Sequence, residues 1–414
     1  MGGASAPQYR RGFVGSAWAI RHDRAVIDPP SFATDPAVVA SEAAVVAAAW
    51  SGPGAPESWR LVAAQLGALR DEAELTALAA SATPDRLPAL LFTAAATYLV
   101  LTRQPERLRD WFPRVGEQGA RLSEAAFVPE YRSFCLEHRE ELLGLMATHR
   151  YQMSEVGRCA GLVLALDPAI ADGREVTFVD VGTGAGLALH FDRYAYRYSG
   201  PDAEVRKAGP ATPDAVLIET AVRGDLVPPV PARLPRIVER IGIDVEPLNL
   251  GDAAVRSWLA ACVPQTVEAV TRFARAASVA QSEPATMIRA DACDALADVL
   301  ASVPAERFVC VQDSFVSVFF TDDQRDRFRR VIDAAGADRD LDWISIDPLV
   351  PLGATASDTV LGDRAPQTLV ERNHRDGVFG AISRLSYRGR QRQQELLGIA
   401  HPGAAWHEWL PPQP

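Results

Sequence analysis

Residues 175–198 read EVTFVDVGTGAGLALHFDRYAYRY, and the way this stretch folds decides the class of the whole chain. Val176, Phe178, Val179 and Val181 form an apolar run interrupted only by Thr177 and Asp180, the pattern of a strand buried on both faces. Gly182, Gly184 and Gly186 come next at alternate positions, and then a helix-compatible segment from Leu187 to Phe191. Strand, glycine turn and helix start together predict the first unit of a parallel α/β sheet of the nucleotide-binding kind. Glycines let the backbone turn sharply and come close to a ligand, and free amides at a helix start attract anions. The spacing is GxGxG, with Leu187 where the last glycine of the dinucleotide fingerprint GxGxxG would fall.

Working outward, the bulk numbers set bounds. A chain of 414 residues exceeds the usual single-domain size, so two parts are expected. The net charge of −11 disfavours nucleic acid or an anionic membrane as partner, since phosphate binding needs a basic face. Lys207 is the only lysine and follows no glycine loop, which excludes a Walker-type GK[ST] and makes a Schiff-base lysine improbable. The cysteines Cys135, Cys159, Cys262, Cys293 and Cys310 never form CxxC, and they fit a reducing compartment without a disulfide framework. No apolar leader precedes Trp18, and the longest apolar run, 87–101, is too short to span a bilayer. A soluble, cytoplasmic protein is expected.

Residues 1–150 read as a helical cap or lid. Asp35-Pro36 starts a helix through Trp50, 51–58 is a loop, and leucines at helical spacing fill 58–81. Asp85 is expected to cap the apolar helix after it, and 123–149 supplies another long helical stretch. Residues 151–414 read as the sheet-bearing core. After the opening unit, 199–213 is rich in Pro, Gly and Asp, and Val216, Ile218, Thr220 and Val222 alternate as a strand, so an inserted β segment is expected around 199–235. RIGIDVEP (240–247), MIRADACDAL (287–296), FVCVQDSF (308–315) and LDWISIDP (341–348) supply four further strands with helical spacers between them. His401-Pro402-Gly403 makes a turn between two closing strands. The acids Asp180, Asp244, Asp291 and Asp313 fall at strand carboxyl ends, where open α/β sheets bind ligands.

Asp180 with GxGxG, and the strand-end acids, resemble the class I S-adenosylmethionine-dependent methyltransferases. YQMSEVGRC (151–159), VDVGTGAGLALHFDRYAY, GIDVEPLN and AHPGAAWHEWL resemble, over nearly the whole chain, an uncharacterised bacterial family carrying a domain-of-unknown-function label. The resemblance implies a Rossmann-like methyltransferase sheet, mostly parallel with an antiparallel C-terminal hairpin, beside a helical N-terminal domain. Where that family has a second C-terminal histidine this chain has Ala404, and its loop, Thr183-Gly184-Ala185-Gly186, is closer to the general methyltransferase loop.

S-adenosyl-L-methionine is the cofactor so implied, with Asp180, Gly182, Thr183, Gly184, Gly186, Asp244, Glu246 and Asp291 as its binding residues. Asp244 or Glu246 would take the ribose and Asp291 the adenine edge, Asp291 also being a natural N-cap. Methyl transfer is an in-line displacement, so alignment matters most and a base serves only acidic nucleophiles. Asp313, Gln312, His401 and Glu155 are the catalytic candidates. Arg158, Asp192, Tyr194 and Tyr196 are the substrate-binding ones, aromatics and carboxylates being suited to a cationic group. QDSF (312–315) is not the [DN]PP[FY] of amine-methylating nucleic-acid enzymes, so a small-molecule substrate is expected. His190, His374 and His407 make no metal-ligand spacing. The alternatives are another use of the cofactor, by aminocarboxypropyl transfer or cyclisation, and a non-catalytic nucleotide-binding protein. The helical half is a candidate lid or homodimer interface.

Overall fold

The structure is a computed structural model describing residues 34–412, apart from 53–54, 56, 113–123, 168–169, 171–173, 201–203, 284, 350–358 and 377–378. The stretch before Trp18 therefore lies outside the described residues.

Helix α1 (Pro36–Ser51) starts as its sequence dictates, with the Asp35 carboxylate accepting the Ala37 amide at 2.8 Å and Pro36 in the first turn. The predicted 58–81 region divides into α2 (Arg60–Asp71) and α3 (Ala73–Ala79). The apolar run becomes α4 (Pro88–Arg103), buried continuously from Pro88 to Thr97. Asp85 does not cap it. Leu87 occupies the N-cap position at φ 57°, and Asp85 sits in a preceding 3-10 turn, paired with Arg150 at 3.3 Å. The predicted 123–149 helix is two, α5 (Glu124–Glu137) and α6 (Arg139–Thr148). Next comes α7 (Cys159–Ala165), every residue of which is buried.

The strands are β1 (Glu175–Val181), β2 (Tyr194–Ser199), β3 (Val205–Ala208), β4 (Val216–Arg223), β5 (Arg236–Asp244), β6 (Thr286–Arg289), β7 (Phe308–Ser314) and β8 (Leu341–Pro348). A small ladder, β9 (Thr359–Val360) with β10 (Asp363–Arg364), precedes β11 (Gly380–Arg388), β12 (Gln391–Ala400) and β13 (Trp406–Trp409). Between them run α8 (Ala253–Ala261), α9 (Val267–Ser282), α10 (Ala292–Ser302), α11 (Asp322–Asp338) and α12 (Gln367–Asp376). The expected helix 250–277 is thus α8 and α9.

The fold is α/β around one large mixed sheet, ordered β3-β2-β4-β13-β12-β11-β8-β7-β1-β5-β6. β8, β7, β1, β5 and β6 are mutually parallel. β11, β12 and β13 then alternate antiparallel. β11 was not expected from the sequence, and the closing hairpin lies inside the sheet rather than at its edge. The inserted segment extends the sheet, because β4 pairs with β13 and β2 with β4.

Two distant parts of this sheet close on α7. Tyr198 of β2 donates its hydroxyl to the Ala160 carbonyl at 2.9 Å. A Cβ on Gly161 would lie 3.0 Å from Ile346 of β8 and 3.5 Å from Ile382 of β11. The sheet therefore curls around a helix that is apolar on all sides. On this side one buried cluster joins α1–α7 to Phe178, Ile344 and Ile382, and on the other Val181, Val311 and Trp343 pack with Leu296 of α10 and Phe328 of α11. No helix among the described residues is long and apolar enough to cross a membrane.

Candidate functional site

The parallel order reverses at β1: β5 and β6 lie on one side of it, and β7 and β8, later in the chain, lie on the other. Ligands of open α/β sheets bind at such a point, outside the carboxyl ends of the strands. Here those ends carry the glycine turn. Gly182, Gly184 and Gly186 all have positive φ (69°, 56° and 76°), a conformation L-residues rarely adopt.

The turn is latched to β5. The Gly182 amide donates to the Ile243 carbonyl at 2.8 Å, and the Gly184 amide to Asp244 Oδ2 at 2.8 Å. Asp244 Oδ1 accepts the Glu246 amide, and the Gly186 amide bonds back to the Thr183 carbonyl. The free amides expected in this loop are therefore engaged within the protein. The segment after the turn also departs from expectation. Residues Leu187–Arg193 form a 3-10 segment, not an α-helix, and it leads straight into β2.

Register decides which strand-end acids share a face. Asp180 pairs with Gln312 and Gly242, whereas Asp313 pairs with Val181 and Ser345. Asp180 and Gln312 thus point toward α7, and Asp313 points to the opposite face. The Asp313 carboxyl accepts from Trp343 Nε1 at 2.5 Å and Ser345 Oγ at 3.0 Å, and burial with the neighbouring Asp347 holds it well above the usual carboxylate range. Asp313 is thus buried on the face that packs against α10 and α11, away from Asp180 and the glycine turn. Asp180 is different. Burial, with Asp244 adding, raises it to about 7, while the Thr183 hydroxyl opposes the rise. Gln312 is buried beside it, and its Oε1 has no partner among the described residues. Burial also raises Asp244.

Segment 151–158 comes to the same end of the sheet. Glu155 accepts the Gly157 amide at 2.8 Å and pairs with Arg272 of α9 at 3.1 Å. Arg158 lies 3.8 Å over the Phe315 ring, just beyond β7, and its Nε donates to the Pro402 carbonyl at 3.0 Å. The turn His401–Ala404 thus joins the site, with His401 buried. The Gly403 amide donates to His401 Nδ1 at 3.0 Å, and the Trp59 ring of the helical half stands edge-on at 5.3 Å. Burial lowers His401 to about 4 and His407, on β13, to about 3, so both are neutral.

A family model described as "Uncharacterized protein conserved in bacteria (DUF2332)" matches residues 42–409. The chain belongs to this family. No curated protein and no solved structure matches it.

In this DUF2332 chain the structure brings together Asp180, the glycine turn with Thr183, Asp244, Gln312, Glu155, Arg158 and His401. Glu246 is exposed beside Asp244. Asp291 caps α10 through the Cys293 amide at 2.8 Å and sits one strand further out. Three substrate candidates belong elsewhere. Tyr194 and Tyr196 are fully buried, and their hydroxyls donate to the Leu187 and Phe191 carbonyls at 2.6 Å. Asp192 forms a buried bidentate pair with Arg240 at 2.7 and 2.9 Å. These groups fix the 3-10 segment onto the sheet. Sequence reasoning missed Phe315, held at φ 59°, and Asp347, whose carboxylate accepts the Val316 amide at 2.9 Å and so shapes the loop beneath Arg158. As a strand-end acid, Asp347 was legible. Phe315 gave no signal.

Proposed function

We propose that the protein is an S-adenosylmethionine-dependent transferase acting on a small molecule, with methyl transfer as the reaction. The observation that carries the reading is the glycine turn at the strand-order reversal, latched by the acid of the neighbouring strand. Five parallel strands, ordered β6-β5-β1-β7-β8 with antiparallel β11 beside β8, support it: within a larger mixed sheet, this order resembles that of class I methyltransferases. The residues present suit such a cofactor: a Cβ on Gly184 would meet nothing within 4 Å, so the turn offers open space at its apex. Gly182–Gly186 would approach it closely, Asp244 and Glu246 would receive its ribose, and Asp291 would lie toward its base. When bound, the sulfonium supplies an electrophilic methyl group. The protein's own share is to align the nucleophile and keep water out. Asp180, titrating near 7, is the group able to hold or accept a proton at neutral pH.

Calorimetric titration with S-adenosylmethionine and S-adenosylhomocysteine tests the reading, alongside Gly184→Asp, Asp244→Ala and an NADH control. Binding by the wild type that both variants lose is expected. Binding of NADH alone, or of no nucleoside, would overturn it. Release of methylthioadenosine in place of S-adenosylhomocysteine would assign aminocarboxypropyl transfer or cyclisation instead.

A further inference from the structure

Arg158 is a half-buried cation that no carboxylate bonds directly, although Glu155 and Asp347 act on it through space. Its Nε is bonded to the Pro402 carbonyl, its Nη2 to Met153 sulfur, and one face of the guanidinium lies on Phe315. Among the described residues no carboxylate pairs with it and Nη1 makes no hydrogen bond. The nearest acids are committed elsewhere. Glu155 serves Arg272 and the Gly157 amide. Asp347 serves the Val316 amide and the Ser317 hydroxyl. Partly burying a guanidinium costs solvation that an anion would offset, and desolvation lowers Arg158 to about 10, with Glu155 and Asp347 opposing the fall.

A second donor lies on the residue that precedes the carbonyl holding it. His401 Nδ1 accepts the Gly403 amide, so in the neutral ring the proton is on Nε2. That Nε2 is buried and has no partner among the described residues. His401 precedes Pro402, whose carbonyl holds Arg158, and the arginine's charge is felt at the imidazole. The amides of Gly182, Gly184 and Gly186, the other anion receptors of such a site, are bonded to Ile243, Asp244 and Thr183.

We infer that Arg158 Nη1 and His401 Nε2 form the seat of a carboxylate group, so that the molecule bound over β7 and β11 is a small carboxylic acid or the carboxylate end of the cofactor. The placement favours neither source by charge. It puts the seat beyond Phe315 and Pro402, on the far side of β1 from Gly184 and Asp244. Calling the seat part of a substrate site rests on the transferase reading, whereas the seat itself does not.

Benzoate and its neutral isostere benzamide probe the seat on the full chain by calorimetry or saturation-transfer NMR. Wild type is expected to bind benzoate at least about tenfold more tightly than benzamide, and Arg158→Gln to bind the two alike, as loss of a charge-assisted donor requires. Equal binding of the two by wild type, or discrimination that persists in a folded Arg158→Gln, overturns the inference. Should Arg158→Gln not fold, the wild-type comparison decides, with Arg158→Lys expected to keep partial discrimination. The source comes from comparing S-adenosylmethionine with methylthioadenosine, which lacks the amino acid. A preference that collapses in the variant assigns the cofactor's carboxylate, and one that survives assigns the substrate's. Benzoate discrimination without any nucleoside binding would sink the transferase reading while leaving the seat intact.

Discussion

Asp180 shows how burial, helped by a neighbouring carboxylate, can turn an ordinary strand residue into a titrating group at neutral pH. In the fold its carboxyl is 4% exposed and titrates near 7, against a usual 3.8. The native chain therefore holds a proton that the unfolded chain has released above about pH 4. A raised carboxyl contributes stability that is complete below the unfolded value and is lost as pH climbs through the folded one. Asp180→Asn, neutral at every pH, is expected to gain on the wild type by roughly 2–3 kcal/mol between pH 5 and pH 8. Urea midpoints of the two proteins at both pH values measure this. A pH-independent difference would mean that Asp180 ionises freely in the fold. Glu42, raised to about 7 by burial in the helical half, titrates in the same window and cancels in the comparison.

At the scale of elements, the glycine turn separates conformational from steric demand. A Cβ at Gly182 would approach Val316 Cγ2 to 2.3 Å, while one at Gly184 would meet open space, and both positions have positive φ. Gly184→Ala is therefore expected to cost only the backbone strain, about 1–2 kcal/mol. Gly182→Ala should cost clearly more, and Val316→Ala should relieve part of the excess, so a double-mutant cycle gives a favourable coupling. Equal costs for the two alanines would contradict the packing of the turn. The turn itself was legible, because GxGxG after an apolar run has few readings. The strand after it was not. Tyr194, Tyr196 and Tyr198 alternate with Ala195, Arg197 and Ser199, a period of two that marks β2. Reading Leu187 to Phe191 as a helix start leaves this strand unseen, and makes two of its tyrosines substrate candidates rather than strand residues packed on the 3-10 segment. β11 was masked for a different reason. Each of its faces mixes apolar residues with Ser383, Arg384 or Ser386, all covered by neighbours, and a bulge against β12 falls between Ile382 and Ser383. Strand-end acids were visible as residues, but the face each one takes is set by register, which separated Asp313 from Asp180.

For the whole molecule the question is whether the helical half is a detachable lid. Composition and helical periodicity suggested a boundary near residue 150, yet the packing there is continuous. Trp258 of α8 stands 5.9 Å from Tyr98 of α4 and 4.3 Å from His149, and its Nε1 donates to the Arg150 carbonyl at 3.0 Å. Trp59 presses on the 401–404 turn so closely that a Cβ on Gly403 would fall 2.0 Å from its ring. One buried cluster runs from Val39 in α1 to Ala400 in β12. Chains of this length often unfold in stages, but here separation would expose both sides of a shared core. Scanning calorimetry of the full chain is expected to show one transition. Trp59→Ala is expected to lower its stability by about 3–5 kcal/mol, the range for removing a buried tryptophan. Because Trp59 also backs His401, the same variant should weaken benzoate binding. Two separate transitions, with the Trp59 variant affecting only the first, would make the helical half an independent domain and move the carboxylate seat away from its control.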